Sequence, residues 1–380
     1  MFLLVLGSSL GLMTLFVWFR LVRSTTRPGR TRRILTALLL ILTALLVAAL
    51  MLRRDPGGSS WLAWPGYLWF GLLAYLVLTL LVLEPLHLVA RLRRRRLPAE
   101  EAPDLERRLF LARAGAVAAG AAAVGVTGVG VATALGPPDV VRVPVRLARL
   151  GAEFDGFRIA VVSDVHLGPL LGRRHTERIV RMINETEPDL VAVVGDLVDG
   201  TVAQLGSAAA PLADLVSREG AFFVTGNHEY FVEDTDEWLT ELDRLGLQVL
   251  RNENTRIRRG ASAFDLAGVN DLAGRSVQQP PDFDAALRGV DAATPTILLA
   301  HQPVQVSEAA RRDVDLQLSG HTHGGQMWPF HYAVELAQPS LAGLSTVDGT
   351  QLYVSRGAGF WGPPVRVGAP PDISVLTLRG

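Results

Sequence analysis

The sequence predicts a mixed α/β domain preceded by an all-α membrane region, and three observations carry that prediction. Long apolar runs crowd the first third of the chain. Short strand-like apolar runs alternate with helical patterns in the remainder. The charge is divided between the two parts. The 380-residue chain is formally neutral, yet residues 1–150 hold 19 Arg and 7 acidic residues while residues 151–380 hold 18 Arg and 30 acidic residues. All 37 basic residues are Arg. Net charges of +12 and −12 place the two regions in different surroundings. No Cys is present, which excludes a disulfide framework, a thiolate zinc site and a cysteine nucleophile. The basic residues flank apolar runs instead of forming a soluble face, so no nucleic-acid partner is expected.

A membrane-spanning helix needs ~20 apolar residues. The runs Met1–Phe19, Ile34–Leu52 and Trp61–Ala90 meet that length. The third contains Pro65, Glu84 and His87, and Trp61, Trp64, Tyr67 and Trp69 are expected to form an aromatic anchor at its interfacial end. His87, near the end of that run, is expected at the interface. A fourth run, Leu109–Leu135, is rich in Ala, Gly and Val. It follows Arg107-Arg108-Leu109-Phe110-Leu111, a pattern that resembles a twin-arginine export signal in an unusual internal position. An ordinary fourth span with small residues for close packing explains it equally well. Ala132-Thr133-Ala134 offers a small-residue cleavage site. The segments Arg20–Arg33 and Arg91–Arg108 carry six and seven Arg, against two in Arg53–Ser60. Positive loops stay in the cytoplasm, so four spans put the C-terminal region outside it. The expected division is a transmembrane region over 1–136 with about four helices, and an α/β domain over 137–380.

In the second region strands are expected at Phe157–Val162, Leu190–Val194, Ala221–Val224, Phe264–Val269, Thr296–Leu299, Leu316–Leu318, Leu352–Ser355 and Ile373–Leu378, with helices at Arg174–Asn184 and Asp236–Leu245. Alternating strands and helices imply βαβ units. Strand after strand ends in Asp, Asn or His beside Gly. Ligands of open α/β sheets bind beyond the carboxyl ends of strands, so these side chains are expected to converge.

Five segments carry the chemistry: Asp164-Val165-His166, Gly195-Asp196-Leu197-Val198-Asp199-Gly200, Gly226-Asn227-His228-Glu229, Ala300-His301-Gln302-Pro303 and Gly320-His321-Thr322-His323-Gly324. They hold five of the eight His residues. Imidazole, carboxylate and amide donors without sulfur suit manganese, iron or zinc. A lone Asp at a strand end is usually a turn residue, and a lone His is usually hydrogen-bonded core. Nine such residues together would leave unpaired carboxylates and buried imidazoles. His175 and His331 lie outside the motifs and read as ordinary; Glu229 reads as a supporting residue or a helix-start charge.

In this order the five segments resemble the calcineurin-like metallophosphoesterase superfamily, over about residues 138–380. Gly320-His-Thr-His-Gly-Gly-Gln326, with Gly359-Phe-Trp-Gly-Pro-Pro-Val-Arg366 downstream, resembles its bacterial membrane-attached or twin-arginine-exported subgroup. The resemblance implies a four-layer α/β/β/α sandwich. It implies two divalent metal ions, one held by Asp164, His166 and His323, the other by Asn227, His301 and His321, with Asp196 bridging both. It gives His228 the role of proton donor to the leaving oxygen and Asp199 that of orienting His228. The expected activity is hydrolysis of a phosphomonoester, phosphodiester or pyrophosphate by hydroxide bridging the two ions, on a substrate that anchoring makes lipid-linked or part of the envelope. Trp328, Phe330, Phe360 and Trp361 are read either as an apolar wall for such a substrate or as core. The competing class is a catalytically weak metal-binding sensor or scaffold. The retention of Asp196 and His228 favours the enzyme.

Overall fold

The computed structural model describes residues 2–51, 60–96, 105–232 and 235–380. The expected outer loop from Arg53 and the centre of the Arg91–Arg108 segment lie outside the described residues. The chain forms two compact units, one comprising Met1–Ala132 with the short loop Gly362–Val365, the other Thr133–Trp361 with Arg366–Gly380.

The first unit is helical. It contains α1 (Phe2–Val17), continued by a π-helical stretch Trp18–Arg23, then α2 (Arg30–Met51) and α3 (Ser60–Arg96); α4 (Leu105–Leu135) begins in it. Three helical stretches, Arg30–Met51, Trp61–Arg93 and Glu106–Leu135, are long and apolar enough to cross a membrane. The first apolar run forms the 16-residue α1. Pro65 and Pro85 are accommodated inside α3. Glu84 of α3 pairs with Arg20, which gives an acid within an apolar helix its countercharge. The aromatic anchor needs correcting. Trp61 and Trp64 are exposed, but Tyr67 and Trp69 are buried, because positions 61, 64, 67 and 69 spread over more than two turns and around the helix instead of sharing one face.

The second unit adds β1 (Asp139–Arg146), β2 (Arg158–Val162), α5 (Arg173–Glu185), β3 (Leu190–Val194), α6 (Val202–Ala209), β4 (Ala221–Val224), α7 (Thr235–Arg244), β5 (Leu247–Val249), β6 (Glu253–Arg259) and β7 (Ser262–Gly268). It continues with α8 (Phe283–Ala286), β8 (Thr296–Leu299), α9 (Val306–Ala310), β9 (Leu316–Ser319), α10 (His331–Glu335), β10 (Gly343–Val347), β11 (Thr350–Val354) and β12 (Asp372–Arg379). Two six-stranded sheets result, ordered β1-β12-β2-β3-β4-β5 and β10-β11-β9-β8-β7-β6. All eight expected strands and both expected helices are present with small boundary shifts. The missed strands are β1, β5, β6 and β10. β1 carries Pro144 and lies at a sheet edge, where a missing N–H is tolerated.

Strand alternation explains the layers. Ile159, Val161, Ala192, Val194, Phe222 and Val224 of the first sheet meet Phe264, Leu266, Ile297, Leu299, Leu316 and Leu318 of the second in one core. The alternate residues Ala160, Val162, Val191, Val193 and Phe223 pack outward on Ile179, Val180 and Ile183 of α5 and Trp238, Leu239 and Leu242 of α7. On the other flank, Ala267 and Leu298 pack on Phe283 and Ala286 of α8 and Ala309 of α9. The domain is the expected α/β/β/α sandwich. Strands β2, β3 and β4 run parallel, as do β8 and β9, so their carboxyl ends open at a common edge.

Candidate metal centre and active site

The expected residues meet at that edge. Asp164 and His166 follow β2, Asp196 and Asp199 follow β3, Asn227 and His228 follow β4, His301 follows β8, and His321 and His323 follow β9. Asp164, His166 and His323 form one cluster able to hold a cation; Asp196, His301 and His321 form a second; His166, Asp196 and His228 form a third between them. The turns are tight. A Cβ on Gly226 would lie 2.2 Å from Asp196 Oδ1, and one on Gly320 would lie 1.8 Å from Ser163 Oγ. Asp164, His166, Asp196, His321 and His323 all adopt positive φ, between 50° and 71°. Such conformations cost ~1–3 kcal/mol each and persist where surrounding structure imposes them.

Hydrogen bonds at the backs of the rings fix which atoms face inward. His301 Nδ1 lies 2.8 Å from the carbonyl of Val194, which can only accept, so Nδ1 carries the hydrogen and Nε2 points into the site. His228 Nδ1 is bonded to Asp199 Oδ1. His166 Nδ1 lies 3.3 Å from the other oxygen of the same carboxylate. Asp199 thus holds the His228 ring by a hydrogen bond, whereas His166 Nδ1, though close, makes none. Orientation of a ligating His through its second nitrogen is a recurrent feature of metal sites.

The inward atoms are electron-rich and close together. His166 Nε2 and His323 Nε2 are 3.0 Å apart, and His323 Nε2 is 3.3 Å from Asp164 Oδ1. His301 Nε2 is buried without a hydrogen-bond partner, 3.2 Å from Asp196 Oδ2. His321 Nδ1 is 2.9 Å from Asn227 Oδ1. Lone pairs brought this close repel unless a cation or proton lies between them. The arrangement therefore fits a divalent metal, and the donor set of nitrogen and oxygen suits manganese, iron or zinc.

The titration behaviour follows from the same crowding. Burial opposes the charged form of His301, but Asp196 and then Asp164 outweigh it and hold its pKa well above the ordinary value. For Asp196, burial is outweighed by His301 and His228, and its pKa stays well below the usual range. Burial raises Asp164 despite the nearby His301. Burial, then His301, lowers His321 to about 4, and burial, then His166, lowers His323 well below 6.5, leaving both rings neutral as ligation requires. His228 differs. Burial works against its charge, yet Asp196 and Asp199 raise it to about 9, so its Nε2 bears a proton at neutral pH.

Two supporting residues carried little signal in the sequence. Glu229 is fully buried, and its carboxylate accepts the backbone N–H groups of Asp196, Leu197, Val198 and Gly226 at 2.6–3.3 Å. It clamps the turn after β3 to the turn after β4. Arg366 is buried and donates to the carbonyls of Gly359, His323, Ala369, Arg356 and Gly357. Its Nη2 also lies 3.2 Å from His323 Nδ1, while closer carbonyls at 2.6 and 2.9 Å take its hydrogens. Arg366 belonged to a recognisable motif, but its role depends on carbonyls distant in sequence. Of the four late aromatics, Phe360 is core, packed on Ala134 and Leu171. Trp328, Phe330 and Trp361 are exposed, and the Trp361 ring stands edge-on to His228 at 5.9 Å. His175 is buried and His331 half-buried, both outside the site.

Comparison with known proteins agrees with this geometry. The profile of the calcineurin-like phosphoesterases matches residues 157–325. A zebrafish (Danio rerio) protein described as a transmembrane protein with metallophosphoesterase domain is 34% identical over all of this chain and 89% of its own length. The chain is a calcineurin-like metallophosphoesterase. As such it is a hydrolase acting on phosphoesters. A bovine protein of the same description is 43% identical over 65% of the metallophosphoesterase, which spans 58% of the bovine chain. A metallophosphoesterase of Helicobacter pylori is 41% identical over 64% of this chain and 65% of its own. Vertebrate and bacterial relatives match alike, so the similarity does not single out the bacterial exported subgroup.

Proposed function

We propose that the metallophosphoesterase is a dinuclear enzyme that hydrolyses phosphoesters at a membrane surface outside the cytoplasm. The observation that carries the dinuclear reading is the position of Asp196, whose carboxylate adjoins both ligand clusters. Asp164, His166 and His323 would hold one ion, Asn227, His301 and His321 the other, and Asp196 both. The bound ions would supply positive charge for the phosphoryl oxygens and Lewis-acid activation of the attacking water. The chain's own residues do the rest. His228 presents Nε2–H to the leaving oxygen, a role worth ~10²–10⁴-fold. Asp199 holds Nδ1–H of the same ring and so fixes its tautomer and direction.

The test uses full-length protein loaded with manganese and assayed on aryl phosphomonoesters, phosphodiesters and pyrophosphates. Turnover of one class, with loss of both activity and half or more of the metal in Asp196→Asn, is the expected result. Full activity in Asp196→Asn would overturn the bridging role, and failure on all three classes would favour a metal-binding sensor.

The side of the membrane rests on α4 and on the arginine-rich segment before it, which the positive-inside rule retains in the cytoplasm. That inference is the same whether or not α1 spans. Ala132–Ala134 lie within the last helical turns of α4, and Ala134 is buried, which supports a retained span over a cleaved signal. Protease added to intact spheroplasts should digest the catalytic domain; protection would reverse the orientation. Export lost on changing both Arg107 and Arg108 to Lys would bring in the twin-arginine translocase. A lipid-linked phosphate is the substrate class that such anchoring favours.

A further inference from the structure

The rim of the site carries apolar residues that phosphoester hydrolysis does not use. Phe330, Tyr332 and Leu336, on and beside α10, are 63%, 60% and 91% exposed, and Trp361 is 43% exposed. Trp328 N–H donates to Val367 O, and the Gln326 side chain exchanges hydrogen bonds with the Trp361 backbone, so the two segments share one edge of the domain. Contiguous exposed apolar residues mark an interaction surface. Charge is sparse there. From Gln326 to Ala342 the sole formally charged residue is Glu335. A partner recognised through ion pairs does not fit such a surface; an apolar, interfacial one does.

Two further observations say what covers it. Ala134, in the last turn of the apolar helix α4, is buried against Leu171 and Phe360, and Phe360 immediately precedes Trp361. Arg178 Nη1 donates to the carbonyls of Leu135 and Gly136 at 3.0 and 3.2 Å, capping that helix from within the catalytic unit. The loop Gly362–Val365, which follows Trp361, belongs to the helical unit. The residue before Trp361 thus packs on the end of a candidate span, and the residue after it begins the loop Gly362–Val365. Trp, Tyr and Phe are the residues that collect at the headgroup level of bilayers.

We propose that Phe330, Tyr332 and Leu336, flanked by Trp328 and Trp361, form an interfacial anchor seated in the headgroup region of the bilayer that the helices cross. The anchor holds the mouth of the site against lipid. The inference rests on α2 and α4 being spans, and the test separates the two.

Because the chain has no Cys, Leu336→Cys and Tyr332→Cys each accept a single environment-sensitive fluorophore in the full-length protein. Leu40→Cys in α2 serves as the span control and Val216→Cys, on an exposed loop, as the water control. Turnover of a soluble aryl phosphoester by each labelled protein checks the fold. In lipid nanodiscs containing lipids with quenching groups at graded depth, labels at 332 and 336 should be blue-shifted and quenched several-fold more than at 216, most strongly by shallow quenchers. If 336 behaves like 216 while 40 is quenched, the anchor is wrong and the α2 span stands. If 40 is unquenched as well, both readings fall. Self-quenching between labelled copies, with no response to the lipid quenchers, would assign the surface to a second copy of the chain and overturn the proposal.

Discussion

The two units of this chain are inversions of one another. The helical unit wears large apolar residues outside, among them Leu12, Leu40, Val82 and Val117. The catalytic unit keeps ionisable groups inside, among them Asp164, Asp196, Glu229 and Arg366. The difference teaches that burial has meaning only against the solvent that each unit meets. In lipid an exposed leucine is ordinary and an ionisable group such as Glu84 is the anomaly that demands a partner. In water the exposed leucine is common when scattered, and the buried charge is the anomaly that marks function. By that standard the rim from Trp328 to Leu336 is a patch of the first kind on a domain of the second.

The comparison breaks most visibly where a buried charge acts in chemistry. His228→Gln should lower kcat by ~10²–10⁴ while metal content, measured by elemental analysis, stays near wild type. Metal lost in parallel would move His228 among the ligands, as its place in the third cluster allows. Next comes a buried charge that acts structurally. Arg366→Met leaves five backbone carbonyls without their donor and should cost ~3–5 kcal/mol, seen as a fall in Tm of the full-length protein in detergent. An unchanged Tm would mean that the carbonyls find other partners.

The helical unit sharpens the contrast from the other side. A charge at exposed Leu40 should oppose membrane insertion by ~3 kcal/mol, whereas the same change at exposed Val216 should alter stability by less than ~0.5 kcal/mol. Equal effects on membrane-integrated yield would argue that Leu40 does not face lipid. The last effect is confined to acid. His175 is buried, and burial, then Arg178 and Arg366, lowers its pKa from 6.5 to about 4. Above pH 6.5 the ring is neutral folded or unfolded. Between pH 6.5 and 4 only the unfolded chain takes up the proton, so stability falls as pH drops through that window, by ~3 kcal/mol at most. His175→Leu should remove this part of the acid sensitivity, read as a smaller Tm drop between pH 7 and 4.5.

Much of the site was legible because its chemistry is local. A strand that ends in Asp or His beside Gly declares both the residue and its place, and five such ends resolve to one edge once the strands are parallel. The regular strands were legible for a similar reason: a doubly buried strand such as Leu190–Val194 is apolar throughout. The edge strand β1 was not, since its mixed pattern and Pro144 reflect a neighbour, β12, more than two hundred residues away.

What the sequence determined by itself is therefore the helices apolar enough to span a membrane, the sandwich and the identity of the residues gathered at its edge, because hydropathy, periodicity and donor type are properties of short segments. What only the tertiary structure decided is how those residues are held and what surrounds them. Asp199 holds the His228 ring, Glu229 clamps two turns, Arg366 satisfies five carbonyls, and Phe360 turns inward while Trp361 turns outward. Each of these depends on which distant atoms share a side chain's surroundings, and neighbours in space are set by packing, not by adjacency in the chain.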